Sequence, residues 1–330
     1  MPVRAKLIYF LSFLFLFSCQ NKEPDLCMYF WRSGSPINQF EQEWLKSSKT
    51  KFLYIRLFDV DLEGGEILPK GVLNKLSVFP SEVEIIPTIY ITNRTFSSGS
   101  IDDLPQKILS KIESTIGDRS IKEVQFDCDW TPGTKDAFFN FLESFQALRP
   151  DWELSSTIRL HQLKYPDQTG TPPVDRGMLM FYNMSNLSDP NIQHYILDLE
   201  VAESYATDID AYPLTLDIAL PLYSQGVLIR SGQVVKLLTG LQSKDINEKF
   251  EKLEDGRFIC VVEGFFEGVF LNEGDIIRLE EVDMELLSQS VKMLSEDFGS
   301  KPDRVVFYHL DEQYLKALDH ADFSDLLSHF

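Results

Sequence analysis

Three features of the sequence predict an α/β chain closed into a barrel of eight parallel strands. Eight short β-rich runs recur along the chain, and segments with helical spacing lie between them. The length of 330 residues also leaves room for a barrel of about 250 residues that carries one insertion.

The runs are Leu26–Trp31, Phe52–Phe58, Val83–Ile91, Glu123–Asp129, Leu154–Leu160, Met178–Tyr182, Leu214–Leu222 and Arg304–His309, each rich in β-branched and aromatic residues. Helical spacing marks Ile101–Ile116, Lys135–Leu148 and Met284–Leu294. In the second of these, Ala137, Phe138, Phe141, Leu142 and Phe145 are spaced to share one face. Pro132-Gly133-Thr134 turns the chain into that helix, and Arg149-Pro150 ends it. Strands alternating with helices call for parallel pairing, and eight units call for closure as a TIM (β/α)8 barrel, an open doubly wound sheet being the competing arrangement. The rhythm breaks between the seventh and eighth runs. There Phe258–Val262, Phe265–Leu271 and Asp275–Leu279, separated by glycines, read as antiparallel strands of a small α+β insertion over 226–297.

Composition excludes several functions. With 51 acidic against 31 basic residues and a net charge of −20, the chain is a poor ligand for nucleic acid. Hydrophobic residues at 44%, including 25 Phe, exceed what a disordered polymer carries. No glycine-rich phosphate loop is present, and no cofactor is expected. Cys27, Cys128 and Cys260 have no close partner in sequence, so no metal site is expected; they read as small apolar fillers, with one disulfide as the alternative.

The N-terminus reads as an address. Arg4 and Lys6 precede the apolar stretch Leu7–Phe17, which is too short to span a bilayer and ends in Ser18-Cys19. This resembles a bacterial lipoprotein signal, which implies removal of residues 1–18 and acyl chains, palmitate among them, on Cys19. Residues 19–25 then form a tether, and the barrel occupies 26–330. The resemblance implies a lipid-anchored protein of the cell envelope, at the outer membrane. Lys22-Glu23 with Asp25 resembles the acidic export tags of some Bacteroidetes lipoproteins, which implies surface exposure.

The segment Val124–Thr131 carries the chemistry. Strand alternation places Gln125, Asp127, Asp129 and Thr131 on one face and Phe126, Cys128 and Trp130 on the other. In a barrel the polar set points inward at the carboxyl end of its strand, where active sites of this fold are built. Two carboxylates about 7 Å apart raise each other's proton affinity and can bind a cation or a sugar. Arg159 is placed to clamp one of them.

Phe126-Asp127-Cys128-Asp129-Trp130-Thr131 resembles the end of the glycoside hydrolase family 18 signature, Asp-Gly-x-Asp-x-Asp-Trp-Glu, with Val124, Gln125 and Thr131 as departures. Met180-Phe181-Tyr182-Asn183 is similar to the family's Met-x-Tyr-Asp on the sixth strand, and Ala219-Leu220-Pro221-Leu222-Tyr223 to its seventh-strand pattern. Val305–Asp311 is similar to the eighth, with Tyr308 in place of the floor Trp. The third-strand Ser-x-Gly-Gly is absent, and Pro87–Thr92 stands there. The resemblance implies that Asp127 and Asp129 occupy catalytic positions and that Tyr182, Asn183, Tyr223 and Tyr308 contact a saccharide, N-acetylated in this family; Trp31, at a predicted strand end, and Arg159, beside the aspartates, are expected to join them. It also implies that Thr131 stands where the family's general acid belongs. A hydroxyl has no useful acidity near neutral pH, and general acid catalysis contributes about 10²–10⁴-fold. The expectation is therefore an envelope lipoprotein that binds an N-acetylated saccharide with weak or no hydrolysis. An active glycosidase that takes its acid from Asp59, Asp61, His161, Asp217, Asp311 or Glu312 is the first alternative, and a non-enzymatic scaffold is the second.

Overall fold

A computed structural model describes residues 23–330 apart from 33, 35, 74, 75, 77, 98–100, 207, 208 and 298–300. The lipoprotein-like segment and Cys19 lie outside the described residues. Eight parallel strands form the barrel: β1 (Asp25–Phe30), β2 (Phe52–Glu63), β3 (Glu84–Ile91), β4 (Glu123–Asp127), β5 (Glu153–Arg159), β6 (Arg176–Met180), β7 (Thr215–Pro221) and β8 (Arg304–Tyr308). Each pairs with the next and β8 pairs with β1, which closes the sheet. No helix among the described residues is long and apolar enough to cross a membrane.

All eight predicted runs fall on barrel strands, and four local departures have identifiable causes. β2 runs on to Glu63, turns at Gly64 and Gly65, whose φ values of 59° and 87° suit glycine, and returns as an antiparallel strand, Glu66–Lys70. The run predicted for Glu123–Asp129 stops pairing at Asp127, where the Tyr90–Asp127 pair is the last. The run predicted to Leu160 ends at Arg159, because Leu160–Lys164 is helical and carries His161. Phe265–Leu271 is a hairpin of Gly264–Phe266 and Val269–Leu271, turned at Glu267 and Gly268 with φ 44° and 70°.

Outward-facing strand residues pack on the helices. Phe126 of β4 meets Phe141 and Phe145 of helix Lys135–Leu148 with ring centroids 5.1 and 4.8 Å apart. Helix Leu104–Ile116 buries Leu104, Ile108, Ile112 and Ile116, a spacing of four that gives one apolar face. Cys27, Cys128 and Cys260 are buried thiols.

Between β7 and β8 a five-stranded antiparallel sheet runs in the order Gln233–Thr239, Ser224–Arg230, Ile276–Glu281, Phe258–Cys260, Phe250–Lys252. It has its own core of Leu228, Leu238, Phe250, Cys260 and Ile277. Helix Met284–Asp297, placed in the insertion by the sequence pattern, instead sends Leu287, Val291 and Leu294 into the barrel core.

Charged groups fill the N-terminal end of the barrel. The Arg304 guanidinium donates to Glu123 at 2.6 Å and to the Tyr54 hydroxyl at 2.7 Å, and Arg176 pairs with Asp217 at 2.6 Å.

Candidate active site

A cavity of about 370 Å³ opens at the carboxyl ends of the strands, within the usual range for small-ligand sites. Eight residues singled out from the sequence line it: Asp127, Asp129, Arg159, Tyr182, Asn183, Tyr223, Tyr308 and Trp31. Larger depressions, of about 1090 Å³ at the N-terminal end and about 800 Å³ beside the inserted sheet, contain neither of these aspartates.

Asp127 is the last residue of β4 and 5% exposed, and it accepts a hydrogen bond from the Thr157 hydroxyl of β5 at 2.7 Å. Burial and the charge of Asp129 push its carboxyl up to about 6, against the pull of Arg159, the Thr157 hydrogen bond and Arg56. Asp129 lies past the strand end and is gripped by Arg159, whose Nε and Nη2 donate at 2.6 and 3.3 Å. Burial disfavours the Arg159 charge, but Asp129 and Asp127 more than offset it, so the guanidinium stays protonated.

Aromatic rings form the floor. Tyr182 stacks on Tyr308 at 5.4 Å and 30°, while Trp31 and Tyr223 meet Tyr308 at 5.9 and 5.6 Å. Burial raises the pKa of Tyr182, Tyr223 and Tyr308, so all three keep their hydroxyl protons. Tyr223 donates to Asn183 Oδ1 at 2.7 Å, and Asn183 adopts a left-handed φ of 56° at the exit of β6. Such a floor presents flat apolar faces rimmed by hydroxyls.

Thr131 is not in the cavity. Once pairing stops at Asp127, the chain turns through Pro132-Gly133: the Thr131 N–H donates to Thr134 Oγ1 at 3.0 Å, and its carbonyl accepts from Thr134 and Lys135 at 3.0 and 2.9 Å. Thr134 in turn donates to Asn93, so residue 131 is spent on starting a helix. Period-two alternation from Asp127 to Thr131 therefore fails at its far end.

The alternative acids lie elsewhere. Asp59 is bound by Arg56, and Arg94 beside Asp61 holds its carboxyl well below the usual carboxylate range. Asp217 sits at the opposite end of the barrel, Asp311 caps a helix, and Glu312 pairs with Asn38 and Lys316. His161 lines an adjoining hollow with Asp129 and Tyr205, and burial lowers its pKa, which leaves it neutral. Among the described residues no group of His, Cys, Asp or Glu is arranged to hold a metal ion.

The cavity also contains residues not singled out from the sequence: Arg56, Tyr90, Tyr195, Gln225, Thr239 and His309. Arg56 lies on β2 with its guanidinium 5.5 Å from the Trp31 ring. Period two within β2 could have found it. Tyr195, Gln225 and Thr239 come from a long loop and from the inserted sheet, where no strand-end rule applies.

Solved structures share this architecture. The spore cortex-lytic enzyme SleL of Bacillus megaterium QM B1551 matches with a TM-score of 0.59 at 13% identity, over 94% of this chain and 75% of that one. A chitinase from Chromobacterium violaceum matches at 0.57 and 11%, over 92% and 99%. The xylanase and α-amylase inhibitor protein XAIP-II from Scadoxus multiflorus matches at 0.50 and 11%, over 93% and 98%. What they share is the fold. The chain is a TIM barrel of the kind found in a cortex-lytic enzyme, a chitinase and an inhibitor. No protein-family model matches the chain, and no curated protein does.

Proposed function

We propose that the barrel binds an N-acetylated saccharide in the 370 Å³ cavity, with weak or no hydrolysis. One observation carries this: Asp127, the Asp129–Arg159 pair and four aromatic rings converge on the cavity, while residue 131 faces a helix start outside it. The Asp129 carboxylate, gripped by Arg159, accepts from a sugar hydroxyl or an acetamido N–H. The protonated Tyr182 hydroxyl donates to a carbonyl, and Trp31 and Tyr308 cover the ring faces, at about 0.5–1.5 kcal/mol for an aromatic contact. Resemblance of the sixth-strand Met180–Asn183 to family 18 supports the acetamido group, and the likeness of the barrel to a chitinase supports a saccharide.

A second reading has one observation in its favour. A carboxyl at about 6 has the acidity a general acid needs, so Asp127 supports a slow glycosidase that works in mild acid. Its burial and its bond to Thr157 oppose that role. Native mass spectrometry of the chain from Gln20 with N-acetylated oligosaccharides separates the readings. Bound, intact sugar is expected; shortened sugar that disappears in Asp127→Asn would establish the glycosidase; no complex with any saccharide leaves the scaffold.

We further propose that Cys19 carries acyl chains and holds the barrel at the envelope membrane, on the strength of the Leu7–Cys19 pattern. Radiolabelled palmitate is expected to label the full chain and not its Cys19→Ala variant; equal labelling of both would refute the anchor.

A further inference from the structure

The inserted sheet forms one wall of the cavity. Thr239, Gln225 and Glu280 are register partners on three adjacent strands, so their side chains leave the sheet on one face. Glu280 is occupied: it accepts from the Tyr195 N–H at 2.9 Å and from Arg278 at 2.9 Å, and so secures the loop that carries Tyr195 to the cavity. Gln225 is not. It lines the cavity at 8% exposure and makes no side-chain hydrogen bond among the described residues, and its Nε2 is covered. An unpaired buried polar group costs about 1–3 kcal/mol, a cost that a ligand can remove.

His309 lines the same cavity, with its Nδ1 covered and unpartnered. Tyr314 links the two: its ring lies 6.2 Å from the His309 ring, and its hydroxyl donates to the carbonyl of Ser224, next to Gln225, at 3.5 Å. Burial lowers the pKa of His309, so Gln225, Thr239 and His309 together carry no charge near neutral pH, in contrast to the aspartates and arginines of the barrel. A primary amide offers a donor and an acceptor, exchanged by a half-turn, and suits an uncharged polar group that is itself both.

We propose that Gln225, Thr239 and His309 form an uncharged subsite that binds a hydroxyl or acetamido group of a second sugar unit, adjacent to the unit held at Asp127 and Asp129. The subsite rests on the saccharide reading above, and calorimetry with N-acetylglucosamine and its β-1,4-linked dimer tells the two apart. The native chain is expected to bind the dimer more tightly than the monomer. Gln225→Leu is expected to weaken the dimer about tenfold and to leave the monomer within about twofold, the worth of one buried hydrogen bond. Dimer and monomer weakened alike, or neither weakened, would overturn the subsite and leave the saccharide reading standing. No binding of either sugar by the native chain would overturn both. Should Gln225→Leu fail to fold, Thr239→Val at the exposed strand end carries the same test, with the dimer selectively weakened by about threefold.

Discussion

The two ends of the barrel are built from the same kinds of side chain and do opposite things with them. At the N-terminal end Glu123, Asp217, Arg304 and Tyr54 are buried and, with the half-buried Arg176, satisfy one another. At the carboxyl end Asp129, Arg159 and Arg56 are partly exposed around a void, and Gln225 lacks a partner. Strand β4 joins the two, with Glu123 at its start and Asp127 at its end on the same inner face. The difference teaches that polarity inside a barrel marks a site only where the groups are incompletely paired.

The largest expected effect belongs to the closed end. Arg304→Ala leaves Glu123 a buried carboxylate with the Ser155 hydroxyl in place of its cation and is expected to cost about 3–5 kcal/mol in denaturant unfolding, while Asp217 keeps Arg176. Arg159→Ala at the open end is expected to cost at most about 1 kcal/mol, since its partner is half exposed and water replaces the bond. Equal losses would break the comparison.

Next comes pH. A carboxyl whose folded pKa lies above its unfolded value binds its proton more tightly in the fold, so its contribution is complete below about pH 4 and is lost as pH rises through the folded pKa. For Asp127, pushed up to about 6 chiefly by burial, the fall between pH 4 and 6 is on the order of 2–3 kcal/mol. Asp217, pushed up to about 7 by burial, adds a fall of the same sign that extends to higher pH. Asp127→Asn is expected to remove the lower part of the slope and leave the upper. An unchanged melting-temperature profile in that variant would refute the assignment.

Binding sharpens the contrast further. Arg159→Ala is expected to weaken N-acetylated oligosaccharides at least about tenfold in calorimetry, because Asp129 loses the guanidinium that holds it in place. The smallest effect is expected at the hairpin of the inserted sheet: Phe265→Ser, on a side chain 75% exposed, should leave both stability, within about 0.5 kcal/mol, and sugar affinity unchanged.

Much of the fold was legible because burial imposes period two on strands and a spacing of three to four on helices. Phe126 and Phe141 reveal their facing elements by that rule alone. The hairpins at Gly64-Gly65 and Glu267-Gly268 were harder, since each hides inside a longer β-rich stretch. Within the site, Asp127, Tyr182, Tyr223 and Tyr308 were legible as residues at strand ends. Thr131 misled because alternation holds only while a strand is paired, and Gln225 was invisible because its place depends on an insertion folding back over the barrel.

The turn at Thr131 also bears on what this barrel can become. Its backbone N–H and carbonyl both serve the start of the helix that follows, next to Asn93 and Thr134. A Glu at this position would carry its carboxylate on the outside of that turn, away from the cavity. For a side chain at residue 131 to reach the cavity, the turn has to be rebuilt first.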